Sequence, residues 1–154
     1  NPKFIDLASK INGSMPEQVL LMIRSALNNY KKKLENSKIL LIGMAYKKDI
    51  DDIRESPSLD ILYLLNKNKS IVEYFDPYIS EFFFKNRKNK TINKLNSKTI
   101  NKFDAIIILT DHSIIDYKLI KDNASIIIDT RNAYPSNNDK NIYRLGVGKS
   151  SYNN

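Results

Sequence analysis

The sequence predicts a doubly wound α/β domain with a mainly parallel sheet. Three observations carry that prediction. Short, nearly continuous apolar runs recur along the chain, at "KILLIG", "SIVEYF", "DAIIIL" and "ASIIID". Between them lie stretches whose apolar residues return every three or four positions, and Gly, Pro, Ser and Asp punctuate the joints. Strands of this kind are buried on both faces, as happens when helices cover a parallel sheet through right-handed crossovers.

Taken in order, Val19, Met22, Ile23, Ala26 and Leu27 return at helical spacing and predict a helix from Pro16 to Lys33. Ser14 fits its N-cap, Pro16 an early helical position, Glu17 the positive end and Lys31 to Lys33 the negative end. That apolar stripe exceeds what one face of a small sheet needs, and so predicts a surface for a second copy of the chain. "KILLIGMAY" is the first buried strand, and "SPSLDILYLLNKNK" a helix capped by Ser56, with Pro57 at its first position. "SIVEYFDPY" is a second strand stopped by Pro77, and "SEFFFKNRKN" reads as a short helix with Phe82 to Phe84 in the core. The polar stretch from Asn86 to Lys102 reads as a loop with one short strand. "FDAIIILTDH" is a buried strand; "SIIDYKLIKDN" follows as a short helix with Thr110 or Asp111 as its cap. "ASIIIDTRNAY" is a further buried strand, and "NIYRLGVG" an edge strand.

Composition narrows the function. The 154 residues contain no cysteine and one histidine, which excludes disulfides, thiolate metal sites and cysteine nucleophiles within this chain and argues against a metal site. No apolar run is long enough to span a membrane and no signal-peptide pattern is evident, so the expectation is a cytoplasmic protein with no membrane partner. The net charge of +8 comes from lysines scattered among asparagines, as in "KNRKNKTINKLNSKTINK". Without a nucleic-acid-binding motif beside them, they read as compositional bias, and no nucleic-acid partner is expected.

Ligands of such sheets bind beyond the carboxyl ends of the strands, here after Tyr46, Phe75, Leu109 and Ile128. The first of these ends carries Gly43 alone, where a dinucleotide fingerprint needs three glycines to let a pyrophosphate lie against the turn. Lys47, Lys48, Asp49, Asp51, Asp52, Arg54 and Glu55 follow instead. On spacing alone the turn reads first as a solvated, salt-bridged loop, and second as a lysine meeting a phosphate as a point charge. Asp76 has two open readings, a ribose acceptor or the start of an Asp-Pro turn. His112 reads as a packing or hydrogen-bonding residue. Arg131, in "DTRNAY", is suited to a bidentate contact with a phosphate or carboxylate.

The blocks "GMAYKKDIDDIRESPSLDIL", "YFDPY", "FDAIIILTDHSIIDY" and "IIIDTRNAY", in this order, resemble the C-terminal, UDP-binding domain of the UDP-glucose/GDP-mannose dehydrogenase family. "FIDLASKINGSMPEQV" resembles the segment that leads into the central helix of that family, and "INGSMP" and "DTRNA" resemble its UDP-N-acetylhexosamine subgroup. The resemblance implies a Rossmann-like sheet preceded by part of a central dimerisation helix. It divides the chain into residues 1–36 of the helical region, a UDP-sugar-binding domain over 37–149 and a disordered tail over 150–154.

It also implies a parent enzyme that oxidises the C6 alcohol of a UDP-N-acetylhexosamine, UDP-N-acetylglucosamine being the expected sugar, to a uronate with release of two NADH. In the family, an N-terminal domain binds NAD and a cysteine forms the covalent intermediate. This chain has neither the fingerprint nor a cysteine, so it is expected to bind no cofactor and to be inactive alone. Lys47 and Arg131 match family positions that contact the nucleotide sugar. Asp49, Asp52, Arg54 and Glu55 belong to the same signature and are expected to shape the loop. A homodimer through the central helix is the expected assembly. A free-standing nucleotide-binding or assembly module is the alternative.

Overall fold

The computed structural model describes residues 2–135 and 139–145, with side-chain surroundings from residue 15 onward. Five parallel strands form one sheet in the order β2-β1-β5-β6-β7: β1 is Lys38–Ile42, β2 Ile71–Phe75, β5 Ala105–Ile108, β6 Ile127–Asp129 and β7 Ile142–Arg144. β3 (Glu81–Phe84) and β4 (Arg87–Lys90) make a separate antiparallel pair. The helices are α1 (Pro2–Asn29), α2 (Pro57–Lys67), α3 (Ser97–Ile100) and α4 (Tyr117–Asn123).

Alternation along the strands builds two cores. Ile39, Leu41, Ile107 and Ile128 face α1 and α2; Leu40, Ile42, Ile106, Ile108 and Ile127 face Ile100 of α3 and Ile120 of α4. The sheet is therefore covered on both sides at β1, β5 and β6, as the apolar runs predict, whereas β2 is an edge strand that is not buried on both faces: Ile71 is 47% exposed and Glu73 is exposed. The strand order reverses direction between β1 and β5, and a doubly wound sheet opens its ligand crevice at such a reversal. Ser56 caps α2 by accepting the Ser58 amide, with Pro57 at the first helical position. β7 lies at the sheet edge, as expected, while the predicted tail over 150–154 lies outside the described residues.

Four local expectations are corrected. α1 starts well before Ser14 and carries Pro16 inside it, so neither residue marks its beginning, and Lys31 to Lys33 lie past its end. A proline in a helix interior costs about 3 kcal/mol through one missing bond and a ring clash; the helix continues on both sides of it. The segment "SEFFFKNRKN" is a hairpin, not a helix: Phe82 is buried, Phe83 is 72% exposed, and Lys85 and Asn86 both have positive φ. That pair of left-handed residues makes the two-residue turn whose twist matches antiparallel strands. α4 is capped by Asp116, which accepts the Leu119 amide, not by Thr110 or Asp111.

The fourth correction concerns the apolar stripe. Val19, Met22, Ile23, Ala26 and Leu27 are all buried in the chain's own core with Ile61, Leu62 and Leu65 of α2. The stripe is consumed within the domain, so its length is no argument for a second copy. Leu21, 60% exposed, points away from that core.

Replacing the fully buried Leu27 by alanine is expected to cost about 2–5 kcal/mol, and Leu21→Ala less than about 0.5 kcal/mol. Urea unfolding at two protein concentrations checks this. If the midpoint for Leu21→Ala falls as far as that for Leu27→Ala, the intrachain packing described here is wrong.

Candidate functional site

The site lies at the carboxyl edge, around the turn after β1. Gly43 leaves the strand with φ of +83°, and its amide donates to the Phe75 carbonyl at 2.9 Å. A β-carbon there would stand 2.6 Å from Thr110 Cβ and 2.8 Å from Thr110 N. The glycine is needed because the turn packs directly on the end of β5, and Thr110 also donates its hydroxyl to the Ala45 carbonyl at 2.6 Å.

The next two amides, which a dinucleotide site would offer to a pyrophosphate, are already taken. Met44 N and Ala45 N donate to Asp76 Oδ2 at 2.7 and 3.1 Å. The other oxygen, Oδ1, accepts the amides of Tyr78 at 2.8 Å and Ile79 at 3.2 Å. Asp76 is thus the turn-starting acid of the two readings, and both its oxygens are engaged within the chain. This turn does not fit a dinucleotide pyrophosphate.

His112, fully buried, closes the arrangement. Asp49 N donates to its Nδ1 at 2.8 Å, so Nδ1 carries the lone pair and the proton sits on Nε2. Nε2 then donates to Asp76 Oδ2 at 3.0 Å. Burial opposes ionisation of Asp76, but the His112 imidazole and the amides of Tyr78 and Met44 outweigh it and hold the carboxyl below its usual range.

Beyond Ala45 the chain rises into an exposed crest. Lys47 and Lys48 stand in solvent, with the Lys47 ammonium 5.8 Å from the centre of the Tyr46 ring. Asp49 adopts a positive φ of 61°, and its carboxylate accepts Ser113 N at 2.7 Å and Ser113 Oγ at 2.6 Å. The Ser113 hydroxyl and then its amide hold the Asp49 carboxyl below its ordinary value. Tyr46 N donates to the Asp52 carbonyl at 2.7 Å, which closes the loop, and Asp52 pairs bidentately with Arg54. Glu55 is exposed with φ of 58°.

Arg131 follows β6, two strands from β1 and so roughly 10 Å away at ordinary strand spacing. Its guanidinium leans over the end of β5, where Nε donates to the Leu109 carbonyl at 2.6 Å. Lys47 lies two residues past Ala45, whose carbonyl accepts Thr110, so the Arg131 side chain and the backbone just before Lys47 are held by neighbouring residues past the end of β5. Asp129, which the sequence reading passed over, makes this corner. Its buried carboxylate accepts the amides of Arg131, Ala133 and Tyr134 at 3.0, 3.1 and 3.0 Å. An aspartate two residues before an arginine, at the end of an isoleucine run, was the available signal. Among the described residues no cluster of three or more His, Cys, Asp or Glu side chains has the makings of a metal site, and no helix is long and apolar enough to cross a membrane.

A doubly wound parallel sheet whose first turn carries a single glycine, with Lys47 and Lys48 exposed beyond it, defines a Rossmann-like α/β domain without the three-glycine dinucleotide turn. The sequence model of the UDP-glucose/GDP-mannose dehydrogenase family, UDP binding domain, matches residues 40–136, and the chain belongs to this family. It is 33% identical over 145 residues to UDP-N-acetyl-D-mannosamine dehydrogenase of Methanococcus maripaludis, a match covering 89% of this chain and 32% of that protein. The solved structure of UDP-D-ManNAc dehydrogenase from Pyrococcus horikoshii aligns with a TM-score of 0.66 and 32% identity, over 82% of this chain and 29% of that one. NDP-N-acetyl-D-galactosaminuronic acid dehydrogenase from Methanosarcina mazei aligns with a TM-score of 0.72 and 26% identity, over 90% of this chain and 30% of that one. The chain therefore spans about a third of the length of the relatives it matches.

Because Asp76 is ionised more readily folded than unfolded, its stabilisation is complete above about pH 4 and is lost as pH falls through the lower folded value. Asp76→Asn is expected to lower stability at neutral pH and to flatten the decline below about pH 4. Thermal melts of both proteins across that range check it, and parallel curves would refute it.

Proposed function

We propose that this chain is the nucleotide-sugar-binding part of an NAD-dependent UDP-N-acetylhexosamine 6-dehydrogenase. Lys47 and Arg131 hold the UDP pyrophosphate at the carboxyl edge. The loop residues Asp49, Asp52, Arg54 and Glu55 shape the turn that presents Lys47. The observation that carries this reading is a pair of cations at one carboxyl edge: Lys47 stands exposed, and Arg131 is anchored by Nε, its terminal amino groups having no hydrogen-bond partner among the described residues. The family match over the same stretch supports UDP as the anion. Residues 37–149 form the binding unit in this reading, and residues 1–36 the end of the helical region.

The relatives' names move the expected sugar from UDP-N-acetylglucosamine toward UDP-N-acetylmannosamine. NAD and the cysteine nucleophile are assigned to parts of the parent outside this chain, because Asp76 takes the Met44 and Ala45 amides that a dinucleotide would need and the chain has no cysteine. The role of this chain is to neutralise the ligand's charge and orient it, while hydride transfer happens elsewhere. A homodimer remains part of the proposal, through surfaces other than the buried stripe of α1.

Each charge-assisted contact contributes about 1.5–3 kcal/mol, so Lys47→Ala and Arg131→Ala are each expected to weaken UDP binding by roughly ten- to a hundredfold. Calorimetry with UDP on the wild type and both variants measures this; equal affinity in all three would refute the assignment. The chain alone, given NAD and UDP-N-acetylmannosamine, is expected to form no NADH. Sustained absorbance growth at the NADH band from the pure chain would overturn the division of labour.

A further inference from the structure

We infer that His112 is the positioning residue that sets the Lys47 turn, acting as a hydrogen-bond acceptor through Nδ1. The inference rests on the proposed role of Lys47 and goes beyond it, since His112 is fully buried and would act only through the turn. The loop after β5 grips the turn at four points. Thr110 Oγ1 donates to Ala45 O, Asp49 N to His112 Nδ1, and Ser113 N and Oγ to the Asp49 carboxylate. Lys47 and Lys48 lie between the gripped residues Ala45 and Asp49, so this loop determines where the crest stands. The Asp49 backbone has φ of 61°, a conformation that a residue with a side chain keeps only when its surroundings hold it.

Two of the four grips come from the exposed Ser113, whereas Thr110 and His112 are buried, and of these two only His112 holds the Asp49 backbone. Its Nε2 is tied to Asp76, its ring meets Tyr78 edge-on at 4.8 Å between centroids, and its carbonyl accepts the Tyr117 hydroxyl at 2.8 Å. These contacts leave the imidazole one orientation, with the Nδ1 lone pair aimed at the Asp49 amide. The ring thereby couples the ends of β2 and β5 to the turn after β1. Without a lone pair at that position, the Asp49 amide would face a buried group that cannot accept its proton, and the turn would move to find another acceptor.

Two polar replacements separate the ends of the ring. Asparagine places its amide oxygen near the Nδ1 position and so keeps an acceptor for Asp49, while losing the reach to Asp76. Glutamine reaches the Nε2 position and keeps a donor for Asp76, while losing the acceptor. Leucine loses both. UDP titrations of the 154-residue chain, by calorimetry, are made on the wild type, Lys47→Ala and the three His112 variants, with a thermal melt of each.

The expected result is a loss of about tenfold in affinity for His112→Leu and His112→Gln, and recovery of most of that loss in His112→Asn. The melting temperatures need not follow this order. If affinity follows the melting temperatures and not the presence of the acceptor, or if all three variants bind like the wild type while Lys47→Ala is weakened, the inference is overturned and the site reading stands. If the wild type does not bind UDP, or Lys47→Ala binds equally well, the site reading fails and takes the inference with it. Should a variant fail to fold, hydrogen exchange of the Asp49 amide in the folded ones decides: protection in His112→Asn and its loss in His112→Gln support the latch, and equal exchange overturns it.

Discussion

The structure depends on one buried carboxylate. Asp76 is 2% exposed, and five donors converge on it: the amides of Met44, Ala45, Tyr78 and Ile79, and Nε2 of His112. An unpaired charge at such a depth would cost several kcal/mol, and only full hydrogen bonding makes it tolerable. Meeting that requirement fixes the end of β2, the turn after β1 and the loop after β5 relative to one another. It also places an internal anion where a dinucleotide fold would seat the pyrophosphate of its cofactor.

That substitution explains the chemistry of the edge. With the Met44 and Ala45 amides consumed, an external anion at this edge would have to be met by side chains that rise above the turn. In the proposed function Lys47 and Arg131 take that part, since a long cationic side chain can extend beyond the turn while its backbone remains in it. The close approach of Gly43 to Thr110 serves the same end, bringing β1 and β5 together so tightly that only a residue without a β-carbon fits. Arg131, hydrogen-bonded to Leu109, extends the arrangement across β5 to β6. A glycine in such a turn therefore need not signal a phosphate; here it accommodates a threonine.

The other face of the sheet shows how helical periodicity is spent. α1 and α2 share one core with the odd-facing residues of β1 and β5, and this burial holds the C-terminal half of α1 against the sheet. The same residues suggested an intermolecular surface when only their spacing was visible. Periodicity reports that a face is covered, and says nothing about what covers it. The hairpin β3–β4 illustrates the same point, since three consecutive phenylalanines are compatible with either period and only the pairing of Phe83 with Lys88 decides between them.

Much of this was legible in the residues. Isoleucine- and leucine-rich runs bounded by turn formers determined the parallel sheet, because no other arrangement buries such strands on both faces. Ser56 and Pro57 determined the start of α2, since capping is a local matter of side chain and amide. The four blocks of motif, read in order, determined the family. Tertiary structure alone decided that Pro16 lies within a helix, that the α1 stripe is buried at home, and that Asp116 caps α4. It alone also decided that Asp76, His112 and Asp49 form one chain of hydrogen bonds. Asp76 and His112 are separated by 36 residues and Asp49 and His112 by 63. No local preference records such a pairing, because each partner is chosen by the strand order that brings their loops to the same edge.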